Sequence, residues 1–515
     1  MLEDNVKSYD NGLGGGLVSP ETGAAMSILR KLFNVYTVQC MERVGEESVA
    51  GTVVHKSQFP ASEKWWLDGT VPAFPVSADK IKIIKEPSVF YETLLEKCMS
   101  ADQRITLASL YLGTGSLEKK LVSALQERLE QTGGRLHVRV LLDHTRGCRG
   151  RPNSRHMLLP LLARFKHACQ VYLYHTPLLR NPWRRLIPPR YNELVGLQHM
   201  KLYLFDNTLI ISGANLSHDY FSNRQDRYVV VEDCPALADF YHGLVATTCD
   251  FSLRLDEHDA EHLSEGWVFH PYRDNRQAFV AAAGEHVRRF YSQAAQRSRS
   301  LLVPPDTNTW VVALVEMGQL GVQCDSVHSQ RILESVQHGS SVHLATGYFN
   351  LTNEYADAIM HRCPATCHIL MAHPSANGFL GARGPAGAIP MAYRMLAAAF
   401  LRRVVFAGQV GRVHMWEYVR PGWTYHGKGL WYTRPGEHAP CLTLVGSSNM
   451  GARSVQRDLE SQVAVVTTDP RLQQSLAEER DALFSRGTHF TLATAADLKA
   501  PLWLSAVVRC FSHYF

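Results

Sequence analysis

The sequence predicts an α/β protein built as two similar lobes that form a pseudo-dimer within one chain. Three observations predict it. Two halves share an ordered series of segments, strand-like and helix-like stretches alternate in both, and a His-x-Lys pair occurs once in each. A duplication of this kind sets the architecture before any single element is considered.

Taken in order, residues 1–64 form an N-terminal extension, with acids and a glycine run in its first two dozen residues. The stretch SILRKLFNVYTVQC that follows Met26 has two early bases and no acid before Glu42, and reads equally as an organelle-targeting signal or a short amphipathic helix. The first lobe is assigned to 65–255. Its strand 105–115 (ITLASLYLGTG) ends in a turn, and Leu117, Leu121, Leu125 and Leu129 at four-residue spacing place a helix on the sheet. Gly113 to Gly115 with Lys119 lacks the spacing of a phosphate-binding P-loop and is read as that turn and helix start. Segments 136–143, 171–177 and 198–217 complete the lobe. Residues 256–303, rich in charge and helix formers, have no counterpart and are assigned to a connecting helical segment. The second lobe, 304–515 with a C-terminal tail, repeats the series at 342–352, 367–374, 413–421 and 425–450. Near-continuous apolar runs such as TLIISG and LTLVG read as buried sheet.

Composition narrows the function classes. With 45% apolar and 20% charged residues in 515, the chain is neither disordered nor low-complexity. A net charge of +5 is too small for a general polyanion binder, so an anion site has to be local. The 11 cysteines are dispersed, without a CxxC or Cys/His ligand run, which favours reduced thiols and no structural zinc. No uninterrupted apolar stretch of about 18 residues suggests a spanning helix.

The chemistry concentrates in the duplicated motif. In the first half His199, Lys201 and Asp206 make H-x-K-x4-D, followed by Ser212, Gly213 and Asn215; in the second, His426 and Lys428 are followed by Gly446, Ser447 and Asn449, then Asp458 and Glu460. Residues two apart on a strand share a face, so each His and Lys can meet one anion. Small residues and Asn at a strand-to-helix junction suit close approach to phosphate. Two imidazoles supply a nucleophile on phosphorus and a proton donor to the leaving group, and two ammonium groups hold the remaining oxygens. A lone histidine is more often a core or surface residue, and there are 24 here. Two copies in matching strands, each with the same small-residue turn, outweigh that reading.

These paired motifs resemble the phospholipase D superfamily, whose two HKD motifs from similar lobes converge on one site. Longer blocks at 108–118, 141–162, 196–228, 345–352 and 446–462 resemble, more closely, the eukaryotic phosphatidyltransferases of that superfamily, over about residue 65 to the C-terminus. The resemblance implies two phospholipase D-like α/β lobes. It implies CDP-diacylglycerol and glycerol 3-phosphate as substrates, phosphatidylglycerophosphate and CMP as products, a phosphatidyl-histidine intermediate, and no cofactor or metal. It also implies a peripheral position on the matrix side of the mitochondrial inner membrane. His199 is then the nucleophile and His426 the acid/base. The second copy has Thr433 in place of Asp206 and the first has Tyr228 where the second has Glu460. Asp206 is therefore read as a positioning acid in the first half, and Glu460 or another carboxylate as the group that orients His426, with the pairing of carboxylates to histidines between the lobes left open. The alternatives are a hydrolase or nuclease of the superfamily with water as acceptor, and a membrane-binding scaffold; intact His/Lys pairs argue against the scaffold.

Basic residues crowd 146–190 without an intervening acid, and Arg146, Arg149, Arg151 and Arg155 are read as substrate-binding candidates. The patch lacks the aromatic interleave of a nucleic-acid site and suits instead a phosphate-bearing substrate or an anionic membrane surface. Residues 377–393 are read as an interfacial loop or active-site lid, and 498–515 as an interfacial or packed helix. A homo-oligomer is compatible with the chain but not needed for a site that has both motifs.

Overall fold

The structure is a computed structural model that describes residues 68–305, 307–382, 384–496 and 501–511. The targeting or helical reading of the N-terminal extension lies outside the described residues.

Two mixed sheets carry the fold. The first runs Glu261–Leu263, Leu253–Leu255, Cys169–Tyr174, His137–Asp143, Arg104–Ser109, Leu202–Phe205, Thr208–Ser212, Tyr228–Val231 and Ile81–Ile84. The second runs Ala73–Pro75, Thr309–Met317, Leu459–Thr467, Leu442–Gly446, Gly429–Thr433, Ser341–Thr346, Thr366–Ala372, Val413–Tyr418 and Gly487–His489. The order of the central strands is the same in both, with the same pair of parallel contacts at the helix-connected strands and antiparallel hairpins elsewhere.

Strand alternation decides what each sheet face covers. Leu209, Ile211, Val229 and Val231 point into a core shared with Val311, Leu444, Val463 and Val465 of the second sheet, whereas Ile210, Tyr228 and Val230 point outward. There they meet the helices Pro87–Ser100 and Ser116–Thr132, whose Phe90, Leu94, Leu121, Leu125 and Leu129 are buried. Burial on both faces explains why the inner strands read as continuous apolar runs. The helix Ser116–Thr132 begins at the expected glycine turn, with Gly115 as its N-cap and left-handed Gly133 ending it.

The expected boundaries shift in two places. Segment 256–303 is helical only over Arg276–Arg299, where Asn275 accepts from the Ala278 amide; before it, Glu261–Leu263 extends the first sheet. Ala73–Pro75, near the start of the expected first lobe, instead pairs with Thr309–Met317 of the second sheet. In the stretch read as a loop, residues from Ile389 onward already belong to the helix Ile389–Phe406. The tail helix Leu502–Phe511 packs Leu504 and Val508 against Ala392 of that helix.

One side chain clamps the lobes. Arg227, fully buried on the first sheet, makes a paired contact with Glu479 (2.9 and 2.8 Å) and donates to Thr443 Oγ1 and the carbonyls of Leu444 and Lys428. Its guanidinium lies 3.6 Å from the centre of the Trp431 ring, and the Trp431 indole also donates to Glu479. Removing one partner of a buried pair strands the other charge. Arg227→Met is therefore expected to lower the free energy of unfolding by about 3–5 kcal/mol, read as a shift in the urea midpoint at constant slope; an unchanged midpoint would show that the clamp contributes nothing.

Candidate active site

Each His-x-Lys motif lies immediately before a strand, Leu202–Phe205 in one lobe and Gly429–Thr433 in the other, in extended chain that crosses to the opposite lobe. The crossing is reciprocal. The His199 amide donates to the Leu459 carbonyl and the Leu459 amide to the Leu197 carbonyl, both at 2.8 Å. In the mirror arrangement Thr424–Tyr425 pairs in parallel with Arg224–Gln225, and the His426 amide donates to the Gln225 carbonyl. Each histidine is thus laid beside the residue that precedes a carboxylate of the other lobe.

Those carboxylates take the imidazoles. His199 Nδ1 is 3.0 Å from both oxygens of Glu460, and His426 Nδ1 is 2.7 Å from Asp226 Oδ2. The pairing left open by the sequence is crossed, and the reading of Asp206 is corrected. Glu460 orients His199 of the other lobe rather than His426 of its own. Asp206 is not at the site: it occupies the turn between Leu202–Phe205 and Thr208–Ser212 with φ 49°, and its carboxylate accepts from the amides of Asp102, Gln103 and Arg104. A two-residue hairpin turn needs left-handed residues, and Asp tolerates that conformation. Its role is to pin a neighbouring loop.

Sequence reasoning missed Asp226, Tyr220 and Arg224, and gave Asp458 and Arg453 no role. A signal for Asp226 exists: Asn215 to Asp226 and Asn449 to Glu460 are each eleven residues. Asp458 accepts from the Leu197 amide and pairs with Arg453 at 3.2 Å. The Tyr220 hydroxyl lies 3.2 Å from His426 Nε2, and Arg224 stacks on the Tyr220 ring. Gly213 must be glycine because a Cβ there would sit 2.6 Å from an Asp226 oxygen; Gly347, likewise, lies against the backbone of His426.

The two lysines are buried with the imidazoles. Lys201 Nζ donates to the His199 carbonyl at 2.6 Å, and Lys428 Nζ to that of His426 at 2.8 Å while lying 2.9 and 3.1 Å from the two ring nitrogens. Burial, reinforced by these ammonium groups, holds both imidazoles well below the usual histidine range. Burial also pulls Lys201 down to about 7 and Lys428 to about 8, and pushes Asp226 up to about 6 and Glu460 above its ordinary range. An arriving phosphate reverses the sign of the local field and favours protonation of the imidazoles and lysines.

The expected phosphate cradle divides. Ser212 donates to the Arg227 carbonyl and Ser447 Oγ receives the Ser461 amide, so both hydroxyls brace the frame; Gly213 and Gly446 allow close packing. The side-chain amide nitrogens of Asn215 and Asn449 donate to no other described residue, which leaves them for a ligand's oxygens. Of the arginines, Arg155 is bound to Asp259 and Glu261 and Arg149 to Glu193, so both guanidinium groups already face carboxylates. Arg151 is exposed, and Arg146 lies 3.8 Å over the Tyr111 ring, whose hydroxyl meets Ser217.

Two groups among the described residues have the composition of metal ligands, His199 with Asp458 and Glu460, and His144 with Cys148 and Glu261. Each already faces a fixed cation, Arg453 on Asp458 and Arg155 on Glu261, which competes with a metal for the same oxygens.

Known proteins resemble this chain in sequence and in fold. A family model described as cardiolipin synthase, PLD-like domain, matches residues 94–242. The chain is 43% identical over 477 residues to the mitochondrial CDP-diacylglycerol–glycerol-3-phosphate 3-phosphatidyltransferase of Homo sapiens, covering 87% of this chain and 85% of that one. It is 34% identical to the probable enzyme of that name from Dictyostelium discoideum, covering 87% and 80%. Among solved structures, the phosphatidylserine synthase of Haemophilus influenzae Rd KW20 shares the fold, with a TM-score of 0.63 at 17% identity over 88% of this chain and 97% of that one.

The crossed carboxylates separate Asp226 and Glu460 from Asp206 by experiment. Asp226→Asn and Glu460→Gln are each expected to reduce kcat by about 10²–10⁴, since each leaves an imidazole without the partner that fixes its tautomer. Asp206→Asn is expected to lower the melting temperature and leave kcat within a few-fold; equal losses of kcat in all three variants would overturn the assignment.

Proposed function

The chain belongs to the family of CDP-diacylglycerol–glycerol-3-phosphate 3-phosphatidyltransferases, within the phospholipase D-like proteins, and from that membership we propose how its two half-sites carry out the transfer. The protein is a phosphatidyltransferase that makes phosphatidylglycerophosphate and CMP from CDP-diacylglycerol and sn-glycerol 3-phosphate. This is the committed step towards phosphatidylglycerol and cardiolipin. The observation that carries the mechanism is the convergence of two imidazoles, each backed by a carboxylate from the opposite lobe.

His199 is the nucleophile. Its ring is the more exposed of the two, 12% against 4%, and its Nε2 has no hydrogen bond among the described residues. Nε2 attacks the phosphorus that bears the diacylglycerol, the bond from that phosphorus to the CMP oxygen breaks, and protonated His426 gives its proton to CMP. The 1-hydroxyl of glycerol 3-phosphate then attacks the phosphatidyl-histidine, loses its proton to His426 and frees His199. Lys201, Lys428, Asn215 and Asn449 supply hydrogen bonds to the phosphoryl oxygens as charge moves onto them. Arg146, beside the site on Tyr111, is the candidate for a second phosphate, that of the nucleotide or of glycerol 3-phosphate.

CDP-diacylglycerol resides in a bilayer, and no helix among the described residues is long and apolar enough to cross one. The named mammalian relatives are mitochondrial. A peripheral position on the matrix side, against an anionic surface, follows as our reading. The segment that leads into His199 suits that contact: Trp183 and Leu186 are 63% and 67% exposed and flank Arg184 and Arg185. Both half-sites come from one chain, so a homo-oligomer is not required for catalysis.

Purified protein given CDP-diacylglycerol and labelled glycerol 3-phosphate is expected to move label into the lipid phase with release of CMP, and acid-quenched digests to carry phosphatidyl on His199. His199→Ala is expected to abolish that adduct, whereas His426→Ala slows its turnover by about 10²–10⁴. Phosphatidic acid as the sole lipid product would show a hydrolase instead. The double variant Trp183→Ser/Leu186→Ser is expected to weaken binding to phosphatidylglycerol-containing vesicles about tenfold or more; sedimentation equal to wild type would place the membrane contact elsewhere.

A further inference from the structure

We propose that the Tyr220 hydroxyl is the positioning group that makes His426 the acid/base and leaves His199 as nucleophile. The proposal rests on the assignment of those two roles above.

The duplication shows where the halves differ. Tyr220 stands five residues after Asn215, on the short helix His218–Ser222; the matching residue five after Asn449 is Ser454, on Ala452–Gln456. Both lie beside the carboxylate that serves the imidazole of the opposite lobe. Ser454 is short, and its hydroxyl meets the Asn449 amide and the Glu460 carboxylate, so it stops before His199. Tyr220 is long enough to pass Asp226 and place its hydroxyl 3.2 Å from His426 Nε2, with its ring edge-on to the imidazole at 5.1 Å between centres. Nothing equivalent meets His199 Nε2 among the described residues.

The consequence follows from tautomers. Asp226 accepts a hydrogen bond from His426 Nδ1–H, which leaves the in-plane lone pair on Nε2, the same tautomer that makes His199 nucleophilic against Glu460. In tautomer the two rings are alike, and either is able to attack phosphorus, although Lys428 Nζ also lies beside the His426 ring nitrogens. The Tyr220 O–H, donating to Nε2, occupies that lone pair on one ring only. A buried tyrosine whose pKa is held well above its usual value stays protonated and remains a donor. Attack by His426 requires that this bond be broken, because the lone pair it occupies must go to phosphorus. In proton transfer the bond is exchanged rather than lost, because the leaving or entering oxygen takes the place of the tyrosine oxygen and the nitrogen keeps a hydrogen-bond partner. The ring itself stays fixed by Arg224 stacked on its face, which is anchored to Thr424 and Asp219.

Tyr220→Phe removes the hydroxyl and keeps the ring. The test measures acid-quenched phosphatidyl-histidine from CDP-diacylglycerol, mapped by peptide mass, in four proteins: wild type, Tyr220→Phe, His199→Ala, and His199→Ala with Tyr220→Phe. In the His199→Ala background His426 is the one imidazole left to attack, and loss of the hydroxyl is expected to raise its labelling rate by about fivefold or more, the worth of one hydrogen bond. In the wild-type background a share of label is expected to appear on His426. Label confined to His199 in Tyr220→Phe together with no rise in the His199→Ala pair would overturn the proposal. So would loss of all label in Tyr220→Phe, since the hydroxyl would then be assisting attack. A melting temperature equal to wild type shows that the readout is not one of folding. Label on His426 in the wild-type enzyme is a different failure, that of the role assignment, and is distinguished by its presence before any change at Tyr220.

Discussion

The structure depends on an exchange: each lobe holds the histidine of the other by a carboxylate it does not itself use. Asp226 of the first sheet serves His426, and Glu460 of the second serves His199. Neither lobe alone contains a working half-site, so the shared apolar core between the sheets is a condition of catalysis as well as of stability. The exchange is enforced by backbone. Short parallel contacts, Leu197–His199 on Leu459 and Thr424–Tyr425 on Arg224–Gln225, set the register in which imidazole and carboxylate meet. A side-chain pair hung on such contacts loses little further entropy when it forms, which is what a preorganised site requires.

Burying two imidazoles, two lysines and three carboxylates together is costly unless each charge finds a partner. The arrangement meets that condition incompletely, and the incompleteness is functional. Lys201 and Lys428 are drawn below the ordinary lysine range and the carboxylates are pushed up, so the cluster holds its charges under tension that an incoming phosphate relieves. The Arg227–Glu479 pair, one residue along from Asp226, is by contrast closed on all sides and carries the structural load. A saturated ion pair and an unsaturated one therefore stand side by side, the first fixing the geometry in which the second works.

The two-lobe plan, the H-x-K pairs and the helix with Leu121, Leu125 and Leu129 were legible because each has a period or a repeat that a sequence displays directly. The carboxylate exchange was not, for a specific reason. Matching Glu460 to Tyr228 is a slip of two residues from its true counterpart Asp226, as the pairings Ser212–Tyr228 and Gly446–Gln462 establish. A two-residue slip leaves every side chain on the same face, so the alternation that fixes strand register against odd slips is blind to it. The same slip affects 136–143 and 171–177 against their counterparts, where strand pairing matches His137 to Thr366 and Cys169 to Val413. Asp206 misled for a different reason: an acid at fixed spacing from a catalytic pair looks chemical, while its left-handed turn is visible only in three dimensions. Ion pairing of Arg149 and Arg155 with acids from residues 193 to 261 is likewise a tertiary fact that a local charge run conceals.

A duplication kept within one chain permits what a symmetric homodimer does not. In a dimer of identical lobes any residue that marks one histidine as acid would mark the other as well, and the two-fold axis would keep both roles interchangeable. Here the equivalent positions have separated. Tyr220 answers to Ser454, Arg227 to Ser461, and Asp206 to Thr433. Arg227 stiffens the interface on the Asp226 side, where His426 is held against Asp226, Tyr220 and Lys428; the Ser461 hydroxyl on the other side meets the Leu314 carbonyl and Tyr241. Rigidity and saturation gather around one imidazole, and openness around the other. A two-step transfer needs this division: the group that forms a covalent bond to phosphorus must have its nitrogen exposed, whereas the group that moves a proton twice must return to the same place between the two steps.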